Sequence, residues 1–371
     1  MKRLLLLIVI FSALTIHAQE STINSTYRGD NARTGIYEDT AILEEPVVLW
    51  EVESSRPSRT TSVVADGIVY FGNEAGLYRA LDTETGDEIW RREFEESVVS
   101  TAAVSDGVMV LGSLDNFVYA LDAATGDEIW SFETGGQVYS SPVLDEEIVY
   151  IGSRDDNVYA LSRADGSEIW QYNMGNDVWS SPALVDGVIF VGSRSGRIAA
   201  LNAKTGDEIW TIETGINSPV DSSPAVRDGV VYIGAGSGIF YALDAESGDE
   251  LWTTDLEGGQ IYASAAVTDT TAYVFPLNGI LHALDITDGS ILWTFELGSP
   301  AYSSPTVVGD VVYAISEEGG LMYALDSESG EEVWRYQTGN QGDWRSAHPV
   351  FADGILYITS NTRGLLALSS P

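Results

Sequence analysis

The side chains that most often do chemistry are scarce in this sequence. Its 371 residues include no cysteine and three histidines, His17, His282 and His348. Thiol nucleophiles and thiolate metal sites are therefore excluded. His282 stands where other copies of a repeated segment carry Tyr119, Tyr159 or Tyr241, so it reads as a substituted structural position. His348 replaces the second serine of a recurrent Ser-Ser-Pro stretch, faces the centre of the repeat array, and has no sequence neighbour to make it a base or a ligand. Acidic pairs such as Asp155-Asp156 are too frequent to be separated from a solvated surface. No catalytic residue and no metal site is predicted.

Binding chemistry leaves a clearer trace. Tyr139, Trp179, Tyr262 and Tyr302 each lie three residues before the proline position of that stretch, with Trp344 close by in the last copy. On the same side of the repeat fall Arg56, Arg59, Arg154, Arg194, Arg197, Arg345 and Arg363. Flat rings beside guanidinium groups suit a planar ligand, a sugar or a peptide, so Arg59, Tyr139, Trp179, Tyr262, Tyr302, Trp344 and Arg345 are the candidate ligand or partner contacts. Packing between neighbouring strands would produce the same recurrence, and the residues alone leave both explanations open.

These positions are ordered by an internal period. Trp50, Trp90, Trp130, Trp170, Trp210, Trp252, Trp293 and Trp334 recur every 40 to 42 residues. Each unit splits into four short stretches rich in Val, Ile, Tyr and Trp, separated by turn residues, which is the signature of a four-stranded blade. The innermost strand begins at the Ser-Ser-Pro stretch. It turns to the second through Asp66, Asp106, Asp145, Asp186, Asp228, Asp269, Asp310 or Asp353, five of which precede glycine. The third strand carries Tyr-Ala-Leu, and a Thr-Gly or Ser-Gly turn leads to the fourth, around the tryptophan. The first three strands occur eight times. The fourth follows only seven of them, and the missing copy is residues 47–52 around Trp50. The expected fold is all-β: an eight-bladed β-propeller with four antiparallel strands per blade, closed by the N-terminal strand joining the C-terminal blade. The recurrent tryptophans should dock between blades.

The pattern Ala-x-Asp-x-x-Thr-Gly-x-x-x-Trp, met in full at residues 80–90 and 120–130, resembles the tryptophan-docking motif of pyrroloquinoline-quinone (PQQ) type propellers. Other copies depart at one or two positions, as at Ser162, Asp165 and Asn202. The leader Tyr27-Arg28-Gly29-Asp30-Asn31-Ala32-Arg33-Thr34-Gly35 is also similar to the segment opening many exported proteins of this class. The resemblance implies either a quinoprotein dehydrogenase or a non-enzymatic propeller like the subunit of the outer-membrane assembly machinery. Dehydrogenases of the family carry long insertions, an adjacent cysteine pair and a calcium site. Here the units are equal and cysteine is absent, so the chain resembles the assembly propellers more, and no cofactor is expected. PQQ with calcium is the alternative.

Residues 1–19, with Lys2 and Arg3 before an apolar run and a small residue at Ala18, read as a signal peptide. Residues 20–46 form a leader and residues 47–371 a single propeller. No later segment is long and apolar enough to span a bilayer, and without cysteine there is no lipid-attachment site. A periplasmic or extracellular monomer is expected. The formal net charge of −38 disfavours nucleic acid and anionic membrane. Lys204 is the only lysine beyond Lys2, and this carboxylate-dense composition fits a protein from a saline habitat, whose melting temperature should rise in molar salt. The face bearing the turn aspartates and Asp-Glu runs such as Asp87-Glu88 should be uniformly anionic. The functional expectation is an exported scaffold binding a protein or peptide of the cell envelope on its arginine and aromatic face. The alternatives are a small-molecule binder, for a quinone or sugar, and a PQQ-dependent enzyme.

Overall fold

The computed structural model describes residues 25–58, 60–257, 259–300, 302–316, 319–339 and 347–371. Residues 1–19, read as a signal peptide, lie outside them, as do Arg59, Trp344 and Arg345. Among the described residues there is no helix, and hence none long and apolar enough to cross a membrane.

Eight four-stranded antiparallel sheets form the blades of a closed propeller. The third blade is representative: Val143–Leu144, Ile148–Gly152, Asn157–Ser162 and Glu168–Asn173 pair in sequence order. The eighth is composite. Val47–Val52 pairs with Gly364–Ser369, Val47 opposite Ser369 and Trp50 opposite Ala367, beside Ile355–Ser360 and Val350–Ala352. A core of Val69, Phe71 and Leu81 from the first blade against Tyr357, Leu365 and Ala367 from the eighth then closes the ring. Second strands read as unbroken apolar runs because each is buried against a neighbouring blade on both faces.

Local chemistry follows the sequence closely. The five Asp-Gly hairpins have both central residues in the left-handed region, Asp66 at φ 51° and Gly67 at φ 75° for example, as a type I′ turn demands. In the docking motif, Asp82 Oδ1 accepts the amides of Glu84 and Thr85 and the Thr85 hydroxyl. These bonds hold its carboxyl below the usual range. Asn202 keeps the same acceptor, which explains why that departure is tolerated. The motif glycine is required by contact as well as by φ. A Cβ on Gly166 (φ 72°) would stand 2.6 Å from the Trp130 indole, and the same closeness recurs around the ring.

Each docking indole donates to a carbonyl of the following blade. Trp50 bonds Thr83, Trp90 Ala123, Trp130 Arg163 and Trp170 Ala203, all at 2.8–2.9 Å. Trp210 bonds Ala245, Trp252 Ile286 and Trp293 Ser327 in the same way. Trp334 differs. Its blade has no docking turn to meet on the eighth, and it donates instead to Ile42 of the leader at 2.7 Å.

Two expectations are corrected. The inner strands begin three residues later than the Ser-Ser-Pro stretch, at Ala183 rather than Ser180 in the fourth blade, because those serines and the proline make other bonds. The face of the turn aspartates is not uniformly anionic either. Arg163 bonds the Ser105 carbonyl and lies 3.2 Å from Asp106, and Arg227 pairs with Asp269, each cation bridging two blades.

Candidate functional site

The Ser-Ser-Pro stretch is where the blades are tied at the channel. Its first hydroxyl stays within the blade: Ser140 and Ser180 accept the amides of Gly152 and Gly192 at 3.1 Å. Its second hydroxyl crosses between blades. The amides of Thr101, Ser141, Ser181, Ser223 and Ser264 donate to the hydroxyls of Ser141, Ser181, Ser223, Ser264 and Ser304 at 2.9–3.0 Å. The result is a belt of hydroxyls around the channel.

The leader runs through that channel. Its carbonyls at Asn31, Ala32, Thr34 and Gly35 accept the amides of Leu184, Val226, Val267 and Val307, inner-strand donors that would otherwise face an empty hole. Ile36–Tyr37 adds a parallel strand to Thr306–Val308. Further bonds reach the remaining blades, through Ser25 to Val64 and Val104, Asn31 to Leu144, and Asp39 to the Gly354 amide. Arg28 and Arg33 are both 0 % exposed. Arg28 donates to the carbonyls of Pro305 (2.6 Å) and Ala265 (2.7 Å). Arg33 donates to those of Pro182 (3.0 Å), Pro142 (2.7 Å) and Tyr27 (2.6 Å). Burial lowers both guanidiniums, Arg33 to about 10.

Above this plug the channel opens into a concave mouth of about 190 Å³. Tyr139, Trp179, Tyr262 and Tyr302 line it, and Tyr27 and His348 form its floor. Tyr139 and Trp179 meet at 5.3 Å between ring centres, and Tyr262 stacks on Tyr302 at 5.9 Å with planes 11° apart. Arg194 lies over Trp179 at 4.0 Å and 3.6 Å from Asp221. Arg154 lies over Tyr139 at 5.6 Å, braced by Asp177 (2.8 Å) and Gln137 (2.6 Å). The Asp177 hydrogen bond raises the Arg154 pKa, and burial followed by Asp221 raises that of Tyr262.

The structure thus gathers four of the candidate contacts at one mouth, while Arg59, Trp344 and Arg345 lie outside the described residues. Of the other arginines on that side, Arg363 pairs with Glu51 at the blade edge. His282 is buried in its blade, 7 % exposed, and burial lowers its pKa. His348 is 2 % exposed, edge-on to Tyr27 at 5.1 Å, with Nδ1 3.1 Å from the Thr61 hydroxyl. Burial, then the charges of Arg28 and Arg33, hold it well below the usual histidine range. Sequence reading missed Tyr27, Arg28, Arg33 and Asp221 as parts of the site. The signal was present in the leader, where two arginines stand five residues apart in an acidic chain, but nothing in a repeat pattern says where a non-repeated segment will lie.

Residues 54–275 match the family model described as the beta-propeller of the beta-alanine-activating enzyme, and residues 237–370 that of the outer membrane protein assembly factor BamB. The chain belongs to the PQQ-like β-propeller family. No curated protein matches it significantly in sequence. Among solved structures, this PQQ-like propeller is similar to BamB from Moraxella catarrhalis, with a TM-score of 0.73 at 20% identity, covering 87% of this chain and 98% of that one. It is similar to the quinohemoprotein alcohol dehydrogenase of Comamonas testosteroni, with a TM-score of 0.81 at 16% identity over 93% of this chain and 80% of that one. The computationally designed Ika8 protein gives 0.77 at 18% identity over 87% and 99%. Identities this low speak for the fold alone.

The family makes PQQ a group to test against the residues present. A quinone held with calcium needs several hard oxygen donors beside a flat slot. Among the described residues the mouth offers one carboxylate, Asp221, beside Arg194, over a floor closed by Tyr27. Among the described residues no three His, Asp or Glu side chains gather as a metal site. The described residues of the mouth do not fit PQQ with calcium.

Proposed function

We propose that the chain is an exported, non-catalytic scaffold that binds a protein or peptide partner of the cell envelope at the mouth formed by Tyr139, Trp179, Tyr262 and Tyr302. The observation that carries this reading is the mouth itself. Preformed aromatic rings stacked with Arg154 and Arg194 are the side-chain types that dominate binding hot spots, and here they line a concavity. The likeness to BamB, named as an outer membrane protein assembly factor, supports an envelope partner. The sequence of residues 1–19 supports export.

A second reading, a small-molecule binder for a sugar or a quinone, is favoured by one feature, the near-parallel Tyr262–Tyr302 pair. Replacing Trp179 and Tyr302 together by alanine should abolish binding of envelope-derived peptides with the fold retained. Unchanged binding overturns the scaffold reading. Adding PQQ and calcium should produce no dye-linked alcohol or sugar oxidation, and activity there would replace the scaffold by an enzyme.

A further inference from the structure

We propose that the floor of the mouth is a carboxylate pit, which accepts a carboxylate carried next to an apolar ring. This deepens the reading of the mouth as the binding face and rests on it. Three features of the floor converge on an acceptor-rich anion.

The first is the hydroxyl belt. Ser141, Ser181, Ser223, Ser264 and Ser304 line the cavity, and each oxygen already accepts an amide from the neighbouring blade. A hydroxyl that accepts in this way still has its own proton to donate. A floor of O–H donors favours a ligand presenting oxygens without protons, and a carboxylate is the strongest such acceptor.

The second is charge. Arg28 and Arg33 bond the carbonyls of Ala265, Pro305, Pro142 and Pro182. Each of these residues directly follows a belt serine, so two buried cations sit one peptide unit beneath the hydroxyls. Asp30, the acid closest in sequence, is engaged by the amide and hydroxyl of Thr34. On the wall, Asp221 is matched by Arg194 at 3.6 Å. In a chain with 56 acidic residues, this pit is a local reversal of sign.

The third is an orphaned donor or acceptor. His348 lines the cavity with Nδ1 on Thr61, while its buried Nε2 has no hydrogen-bond partner among the described residues. Its imidazole feels the two arginines as like charges, which places their field at the floor. Above the floor, Trp179 and the Tyr262–Tyr302 pair supply flat apolar surface for a ring attached to the carboxylate. The cavity is smaller than the roughly 300–1,000 Å³ of sites that enclose drug-sized ligands, and suits one ring and its acid group.

Such a group could come from the C-terminal end of a peptide or from a free aromatic acid. Calorimetric titration of the whole protein at physiological salt with N-acetyl-Gly-Gly-Phe, its C-terminal amide and 3-phenylpropionate separates these sources. The free-acid peptide should bind at least about tenfold more tightly than its amide, the loss expected for one charge-assisted hydrogen bond. The ¹⁵N resonance of His348 Nε2 should shift with the acid and not with the amide. Ser223→Ala, checked for an intact thermal transition, should weaken the acid more than the amide, the carboxylate being the stronger acceptor of its hydroxyl. Binding of the peptide acid alone assigns the pit to a chain end, and binding of 3-phenylpropionate alone assigns it to a small acid. Equal binding of acid and amide overturns the pit while the peptide-binding mouth stands. No binding by any probe overturns both.

Discussion

At the outer girdle each blade is tied to the next by a tryptophan that the repeat itself supplies, whereas in the channel all eight blades are tied to one strap that lies outside the repeat. The girdle contact is local and renewed at each unit: an indole on a glycine, with one hydrogen bond to the following turn. The channel contact is collective, since the leader reaches every blade through backbone bonds, two buried arginines and the side chains of Ser25, Asn31 and Asp39. The two systems meet at Trp334, whose partner is Ile42 of the leader. A ring built from seven complete units and a split eighth is thus completed twice, by residues 47–52 as a strand and by residues 25–42 as a plug. The largest effect expected from this contrast comes from removing the plug. Deleting residues 20–42 strips at least five inner-strand amides and carbonyls of their partners and uncaps Trp334. At about 1 kcal/mol per hydrogen bond, the loss is about 5 kcal/mol or more. Urea unfolding should show it, and a variant of native stability would mean that the leader is a passenger.

Arg33→Met tests whether the arginines carry that effect. The variant leaves the carbonyls of Pro142, Pro182 and Tyr27 buried without their donor. Breaking a buried charged contact in this way should cost about 3–5 kcal/mol. Trp170→Ala is the matching break in the girdle, and should also cost about 3–5 kcal/mol through lost burial and the cavity left behind. The two should differ in salt response. The tryptophan loss should be insensitive to ionic strength, while the arginine variant, relieved of a buried cation in a chain of net charge −38, should change its salt dependence relative to the parent. Identical salt profiles would count against an electrostatic role for the plug.

The girdle was legible in the sequence and the plug was not, for a physical reason. Trp130, Gly166 and the Asp-Gly hairpins obey rules of local geometry, so their period of about forty residues announces both the strand and its contact. The closure through Trp50 followed from counting fourth strands. Arg28 and Arg33 obey no local rule: the blade carbonyls they bond lie more than 100 residues away, just before the inner strands, and only the finished ring creates the hole they fill. The mouth falls between these cases. Tyr139, Trp179, Tyr262 and Tyr302 stood out by position, but Asp221, at the same place in the fifth unit, did not, because its value comes from Arg194 on another turn. The Ser-Ser-Pro stretch looked like strand, yet its hydroxyls serve as latches within and between blades.

The channel should also leave a mark on pH dependence. His348 is buried neutral, with its folded pKa below the unfolded value of about 6.5. Between those two values the unfolded state binds more protons, so stability falls as pH drops below about 6.5 and is constant above it. His282 acts in the same direction from within its blade. His348→Asn should flatten part of the decline between pH 6.5 and 5 in thermal melts, and His282→Tyr, which restores the residue of other units, should remove a separate part. An unaltered slope in both variants would place the titration elsewhere.

The smallest stability effect is expected at the mouth, and it sharpens the comparison most. Trp179 and Tyr302 are half-buried and face the cavity, unlike Trp170, which is enclosed between blades. If packing were their purpose, replacing both by alanine would approach the cost of a docking tryptophan. If the mouth is a binding surface, the pair should cost only about 1 kcal/mol, because side chains open to a solvent-filled cavity return little burial on folding. Guanidine denaturation of Trp179→Ala/Tyr302→Ala beside Trp170→Ala gives this ratio directly. Near-equal losses would make the mouth a third tie between blades. A loss several times smaller, accompanied by failure to bind peptide, separates residues that hold the ring from residues that the ring exists to present.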